Sequence, residues 1–328
     1  MRLGRVGLAA LLTAGIVGTP PARAATDHHL HLMSPALAGL MARLAQLDPE
    51  TAKLLDPEAS KSRDAAHVLG LLDAAGLQHG VLLSGGYMFS SPMLADMKLD
   101  AAKLVREENA YNVAAAAASG GRLLAFIGLN PLAPEADAEL DHWIRAGGAR
   151  GVKLHLGNSR FDYRDATHLA RLRALLATAN AARLAVVLHA RSAPQYGAAE
   201  ARLMVEQVLP AAAEVPVQIA HGGGWGGLDD GTLDALEVYV GAIERGAPGT
   251  RQLVIDLALV TLGEDTPLPL RERAVALIRR AGVKRFVMGS DWPAIYAPPA
   301  HEAYLRRQLP LTDEEWQALL ANDAPYVR

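Results

Sequence analysis

Two features of this 328-residue sequence predict an α/β fold of eight strand–helix units. The first is a series of eight short runs rich in Val, Ile and Leu, which occupy residues 29–32, 80–83, 123–129, 151–156, 185–188, 217–220, 253–257 and 286–288. The second is helical periodicity in the Ala-, Leu-, Arg- and Glu-rich segments between most of these runs, such as 100–118, 168–182, 199–209 and 271–281. Such alternation indicates right-handed βαβ units around a parallel sheet. Eight units in about 300 residues favour a (β/α)8 TIM barrel over the competing doubly wound open sheet.

The domain organisation follows from the absence of linkers. No low-complexity segment or shift in composition divides the sequence, which predicts one barrel domain over residues 25–328. The segment Ser34–Ala66 is long for a first strand-to-helix connection. We therefore expect it to form extra helices that cap the barrel mouth.

The N-terminus has the three parts of a secretory signal peptide. Arg2 and Arg5 precede an apolar run over 6–17, and Ala22-Arg23-Ala24 supplies an A-x-A cleavage site. The run is shorter than the roughly 20 residues of a membrane span, although an uncleaved anchor helix is the alternative. We predict a Sec-type signal peptide over 1–24 and a mature protein that is periplasmic or extracellular, with no stable membrane anchor.

The composition excludes several kinds of site. The chain contains no cysteine, so thiolate metal sites and cysteine nucleophiles are excluded. Its formal net charge of −3 does not favour a nucleic-acid partner. We expect a small-molecule substrate, and a homo-oligomer is compatible with the sequence. Any metal has to be held by His, Asp, Glu or a modified Lys.

Polar residues with metal-binding side chains stand at the ends of four apolar runs. His29 and His31 are two residues apart, so on a strand they project to the same face. His189 and His221 each end an apolar run, and Asp291 follows the last one. In a barrel, the C-terminal ends of the strands carry the active site. The pattern predicts that these side chains converge at the barrel mouth.

Five motifs resemble the amidohydrolase superfamily, specifically its amidohydrolase-2 branch of TIM-barrel metal enzymes. They are His29-Leu30-His31, Gly151-Val152-Lys153-Leu154-His155, His189, His221-Gly222-Gly223 and Gly289-Ser290-Asp291-Trp292-Pro293. The resemblance implies that His29, His31, His189 and Asp291 bind one divalent ion, with Zn²⁺ expected. It also implies catalytic roles for Asp291 and for His221, which would polarise the substrate or shuttle a proton.

The chemistry of these residue types agrees with what the resemblance implies. Imidazoles and one carboxylate suit Zn²⁺ with an open position for water, whose pKa the ion lowers. Lys153, His155 and Arg191 are candidates for substrate binding; a carboxylated Lys153 that bridges a second metal is the alternative for that residue. Tyr87 and Trp225 are candidates for an apolar wall against a ring.

Two reaction classes follow from the same motifs. The first is hydrolysis of an ester, lactone or amide bond, in a carboxylate-bearing small molecule. The alternative is a metal-dependent non-oxidative decarboxylase or C–C lyase that acts on an aromatic or unsaturated acid. The predicted signal peptide favours hydrolysis. A serine hydrolase is excluded because no G-x-S-x-G pentapeptide occurs in the chain.

Overall fold

The computed structural model describes residues 26–47, 61–259, 266–294 and 296–327. Eight parallel strands lie in sequential order, β1 to β8, and each pairs with the next along the chain. They are β1 (Thr26–Leu30), β2 (His79–Leu83), β3 (Leu123–Leu129), β4 (Gly151–His155), β5 (Ala185–His189), β6 (Val217–Ile219), β7 (Leu253–Asp256) and β8 (Phe286–Val287). The predicted TIM-barrel fold is confirmed. The predicted signal peptide, residues 1–24, lies outside the described residues.

Backbone hydrogen bonds between β1 and the end of β8 bring the two edges of the sheet together. The N–H of His28 donates to the carbonyl of Met288 at 2.9 Å, and that of His31 donates to Trp292 at 2.7 Å. Because His31 bonds to the segment after β8, β1 ends at Leu30, and the prediction that this strand runs to residue 32 is wrong. The register between β1 and β2 also shifts between Asp27 and Leu30.

Ten α-helices lie within the described residues, and most of them follow a strand. They are α1 (Pro35–Leu47), α2 (Ala65–Ala75), α3 (Ala101–Ala118), α4 (Ala136–Ala146), α5 (Ala166–Ala181), α6 (Ala198–Leu203), α7 (Asp230–Glu244), α8 (Leu268–Ala281), α9 (Pro298–Gln308) and α10 (Asp313–Leu320). In the described part of the chain, none of these helices has both the length and the apolar character needed to cross a bilayer.

The helix predicted over 199–209 is shorter than expected. The α-helix α6 ends at Leu203, and the chain continues as a π-helical turn over Met204–Val208 and a 3-10 turn over Leu209–Ala212. Pro210 lies in that last turn, and its missing N–H cannot continue an α-helical hydrogen-bond pattern.

Side chains fill the interior of the barrel, so it is not a pore. Val81, Leu83 and Phe126 belong to one buried apolar cluster that the C-terminal Tyr326 joins. The rings of Phe126 and Tyr326 meet edge to face with centroids 5.0 Å apart, and the Tyr326 hydroxyl donates to Gln218. A filled interior leaves the ends of the strands as the place for a ligand site.

Helix α1 is one of the extra helices expected in the segment 34–66. Its Leu37 and Met41 line a cavity at the barrel mouth, so it acts as the predicted cap. The Ser34 hydroxyl accepts a hydrogen bond from the N–H of Leu37 at 3.2 Å, and the Ser34 N–H donates to the buried Glu108 carboxyl at 3.3 Å. Residues 48–60 lie outside the described residues.

Candidate active site

Three of the predicted metal ligands are in direct contact. The Nε2 atom of His29 lies 3.2 Å from Oδ1 of Asp291, and Nε2 of His31 lies 3.1 Å from the same oxygen. His29 is fully buried, and His31 and Asp291 keep only small exposed fractions. The expected convergence of the residues after β1 with the residue after β8 is therefore present, although His31 lies just beyond its strand.

The Nδ1 atoms of three histidines are already paired with acceptors. His29 donates from Nδ1 to the Asp256 carboxylate at 2.9 Å, His31 to the carbonyl of Leu83 at 2.6 Å, and His221 to the carbonyl of Ala258 at 2.7 Å. In a neutral imidazole, a proton on Nδ1 leaves Nε2 as an acceptor. In its neutral form each of these rings would present the Nε2 lone pair to the site, and the Nε2 atoms of His29 and His31 face the Asp291 carboxylate.

Asp256, at the end of β7, is a functional residue that the sequence interpretation did not single out. Its Oδ2 accepts from His29 and from Nε2 of Gln218 at 2.6 Å, while its Oδ1 accepts from the N–H of His221 at 2.7 Å and of Ala258 at 3.1 Å. The available signal is an acid at the end of an apolar run. The predicted strand 253–257 includes residue 256, so the pattern does not mark this acid as a strand-end residue. Asp256 fixes the tautomer of His29 and the backbone at His221.

Backbone conformation aims two of the site residues. His221 and Asp291 both have φ of 57°, in the left-handed region that side chains with a Cβ seldom adopt. The N–H of Asp291 donates to the carbonyl of His29 at 2.8 Å, and the N–H of His221 is held by Asp256. Residues held in this region by surrounding bonds cluster at functional sites.

His189, at the end of β5, borders the His29–His31–Asp291 cluster without direct contact to those three ligand atoms. Its ring lies 4.9 Å from that of His221 and stacks on His155 at 3.8 Å with an interplanar angle of 12°. The buried Nε2 of His189 has no hydrogen-bond partner among the described residues. Such an atom is costly unless a ligand or ion satisfies it.

Hydrogen-bond donors face the histidine cluster from β4. Lys153 is fully buried, and its Nζ lies 3.4 Å from Nε2 of His29. Burial lowers the pKa of Lys153 to about 8, so the ammonium form still dominates at pH 7. His155 accepts the N–H of Asn158 on Nδ1 at 3.2 Å, which places its own proton on Nε2. The ring of Tyr87 lies 5.0 Å from that of His155.

Arg191 does not share this arrangement. Its guanidinium pairs with Asp229 at 2.7 Å and donates to Thr232 at 3.2 Å and to the carbonyl of Pro194 at 2.9 Å. It is not among the residues that line the cavity at the cluster. The expected direct contact between Arg191 and a substrate carboxylate therefore has no support in this geometry, because an acid of the chain already occupies the guanidinium.

The cluster opens into a cavity of about 260 Å³ at the barrel mouth. Its polar lining consists of the side chains described above, from His29, His31, Lys153, His155, His189, His221 and Asp291. Apolar and aromatic side chains complete it, with contributions from Met33, Leu37, Met41, Tyr87, Met88 and Trp225. A cavity with apolar walls and a few convergent polar groups is the usual form of a small-molecule site.

The donor set fits a divalent cation. Burial lowers the pKa of His29 to about 3, so this imidazole is neutral at pH 7. Burial alone would raise the pKa of Asp291, but the neighbouring imidazoles and the bond to His31 outweigh it and hold that pKa below its ordinary value. Neutral nitrogen acceptors that meet an ionised oxygen, with an unpartnered His189 nitrogen at the border, match the chemistry of a Zn²⁺-type site.

The family follows from the sequence match. Residues 95–326, well over half of the chain, match the model of the amidohydrolase family Amidohydro_2. The chain belongs to this family. The matched region contains His189, His221 and Asp291 and begins after the His29–His31 pair. The resemblance noted in the sequence is confirmed.

Several solved structures share the fold. A zinc-bound amidohydrolase from Burkholderia multivorans has 14% sequence identity and a TM-score of 0.56, over 90% of this chain and 96% of that one. The 5-carboxyvanillate decarboxylase of Sphingomonas paucimobilis has 14% identity and a TM-score of 0.61, over 91% and 96%. A 2,6-dihydroxybenzoate decarboxylase complexed with 2,6-dihydroxybenzoate has 16% identity and a TM-score of 0.59, over 92% and 97%. At these identities the likeness shows the fold alone. No curated protein sequence matches the chain.

Proposed function

We propose that this amidohydrolase-family enzyme is a metal-dependent hydrolase that cleaves an ester, lactone or amide bond in a small carboxylate-bearing molecule. One observation carries the proposal: the Nε2 atoms of His29 and His31 both face Asp291 Oδ1, at 3.2 and 3.1 Å, while their Nδ1 atoms are bound to other acceptors. When the two rings are neutral with their protons on Nδ1, their Nε2 lone pairs and the Asp291 oxygen form a set that a divalent cation would bind. The arrangement is therefore built for an ion.

His29, His31 and Asp291 would hold the ion, and the unpartnered Nε2 of His189 is the further ligand that the sequence predicts. A bound divalent cation would supply a Lewis acid and lower the pKa of a water towards about 7. Zn²⁺ is the ion that this set of imidazoles and one carboxylate suits best. A single ion is proposed, with Lys153 as a hydrogen-bond donor beside His29.

The remaining groups divide into acceptors and donors. Asp291 is ionised and sits at the cluster, so it can take a proton from the attacking water and pass it to the leaving group. His221 presents an unprotonated Nε2, which suits a proton shuttle; stabilising an oxyanion would require its protonated form. Lys153 Nζ and the Nε2–H of His155 are the donors that would bind the substrate carbonyl or carboxylate.

A decarboxylase or C–C lyase is the second candidate. Solved structures with this fold include two aromatic-acid decarboxylases, and the same donors could orient a substrate carboxylate. Asp291 would then first take up a proton from solvent and deliver it to the substrate carbon as the bond to the departing CO2 breaks. The two reactions differ in their products, since only the second releases CO2.

The test uses purified mature protein with its metal content measured, assayed against lactones, esters, amides and aromatic acids. We expect acid release without CO2, and loss of activity when a chelator removes the metal. CO2 evolution from an aromatic acid would support the lyase instead. Turnover by the metal-free protein at the rate of the loaded protein would refute both.

Export is proposed from the N-terminal pattern and is checked by N-terminal sequencing of the protein recovered outside the cytoplasm.

A further inference from the structure

A second cavity of about 430 Å³ adjoins the candidate active site. It shares His155, His189 and Trp225 with the first cavity, so these side chains form a common wall between the two spaces. Its other lining residues are Met93, Gly157, Asn158 and Ser192. We call this second space the outer chamber.

The indole of Trp225 is exposed and yet fixed in place. Its exposed fraction is 47%, whereas Trp143, Trp292 and Trp316 are buried. The indole N–H donates to the carbonyl of Arg191 at 3.0 Å, and the guanidinium of Arg191 lies 5.0 Å from the ring centre. With its one polar atom satisfied and a cation against the ring, the indole presents a preorganised apolar surface.

The outer chamber is suited to an uncharged ligand. Among the described residues that line it, there is no acid, lysine or arginine. The charge of Arg191 is already balanced by Asp229, which lies 2.7 Å away. A carboxylate would therefore find no free cation here, while an apolar ring would cover exposed surface of Trp225 and Met93.

We infer that the outer chamber binds a neutral aromatic group of the substrate, with Trp225 as the stacking surface and Arg191 as the residue that positions it. The inference rests on the proposed function in one respect: the reacting bond of the same substrate would lie at the neighbouring His29–His31–Asp291 cluster. Arg191 thus acts through the indole and does not itself grip a substrate acid.

The test measures binding without turnover, using the full mature chain loaded with Zn²⁺. The probes are 4-fluorobenzyl alcohol, which is neutral, and 4-fluorobenzoate, which carries the negative charge, both followed by ¹⁹F NMR. We expect binding of the neutral probe to depend on Trp225, whereas the anion can bind at the metal and Lys153 and should depend on Trp225 less. Trp225→Ala should weaken binding of the neutral probe about three- to tenfold, and Trp225→Phe should retain most of it, because an aromatic contact of this kind contributes roughly 0.5–1.5 kcal/mol.

Two variants locate the probe. Met93 lines only the outer chamber, and Met88 lines only the first cavity. We expect Met93→Ala to weaken binding and Met88→Ala to leave it within twofold. The inference is overturned if Trp225→Ala binds the neutral probe as the wild type does, or if Met88→Ala has a larger effect than Met93→Ala.

The positioning role has its own readout. Arg191→Met should lower the fluorescence anisotropy of Trp225. The Trp225 signal is obtained by subtracting the emission of the Trp225→Phe protein, which lacks that indole. The matched control is Arg306→Met, since Arg306 lies 4.8 Å over the ring of the buried Trp316. Unchanged Trp225 anisotropy in Arg191→Met would overturn the positioning role. Because binding is measured directly, the two proposals can fail separately. A protein that binds the neutral probe but hydrolyses no substrate would refute the proposed hydrolase activity and would still support the aromatic-binding role of the outer chamber.

Discussion

Replacing Asp256 with asparagine would change the proton on a metal ligand without touching the metal site directly. Asp256 accepts four hydrogen bonds, two from backbone N–H groups through Oδ1 and two from His29 and Gln218 through Oδ2. Asparagine has one oxygen. If that oxygen keeps the two backbone bonds, its NH2 group faces Nδ1 of His29, which then has to accept. The imidazole proton moves to Nε2 and blocks the lone pair that would bind the ion.

The expected effect is a 10- to 100-fold loss of Zn²⁺ affinity, the usual result of removing such a partner of a metal-bound histidine. This corresponds to roughly 1.4–2.8 kcal/mol. The assay is a competition titration of the metal-free protein with Zn²⁺ and a chelator of known affinity. Circular dichroism of each variant confirms that the barrel has folded.

Asp27→Asn is the matched control. Asp27 is also a buried acid beside the site, but it accepts the N–H groups of His29 and Ser290, each at 3.0 Å, and the Ser290 hydroxyl, which an asparagine oxygen can also accept. Burial raises the pKa of Asp27 to about 7, so replacing this carboxyl with a neutral amide removes less negative charge than it would at an ordinary aspartate. Equal Zn²⁺ affinities for Asp256→Asn and wild type would refute the tautomer reasoning, as would an equal loss in Asp27→Asn.

Three further predictions concern single side chains. Asp291→Asn should abolish turnover and His29→Ala should lose both metal and activity, as measured by metal analysis and steady-state kinetics; an active metal-free protein would contradict this. Lys153→Met should raise KM about tenfold or more for carboxylate-bearing substrates and leave neutral analogues within twofold, because a charge-assisted bond contributes about 1.5–3 kcal/mol; equal effects on both would contradict it. Burial lowers the pKa of His301 to about 4, so the unfolded chain binds more protons below the ordinary value of 6.5, and the folded state loses stability as pH falls between these values. In chelator-treated protein, urea unfolding should show wild-type stability falling relative to His301→Gln by up to about 1.4 kcal/mol per pH unit in this window; parallel pH curves would exclude the effect.

The contacts within the site could not be predicted from the pattern of strands alone. The motifs predicted that His29, His31 and Asp291 converge, and the structure brings their Nε2 and Oδ1 atoms together. Spacing could not show which ring nitrogen faces the site, because the partner of each Nδ1 comes from a different strand or loop. Leu83, Asp256 and Ala258 supply those partners from positions with no motif of their own.

Arg191 is a residue that the local sequence pattern singled out but whose partner that pattern could not show. An arginine two residues after a strand-end histidine suggested a free cation for a substrate acid. The structure pairs it with Asp229, which also caps α7 by accepting the N–H of Thr232 at 2.7 Å. Residues 38 apart in sequence meet only when β5, β6 and α7 are packed, so no local pattern reveals the pair.

By itself, the sequence determined the eight-strand alternation, the amidohydrolase motifs and several of the polar residues at the strand ends, because hydrophobic periodicity and strand-end chemistry are local properties of the chain. Tertiary structure decided which imidazole nitrogens are free to bind an ion, which acid neutralises the charge of Arg191 and which contacts hold the indole of Trp225. These depend on hydrogen bonds and packing between segments far apart in sequence, and such contacts exist only once the barrel has closed.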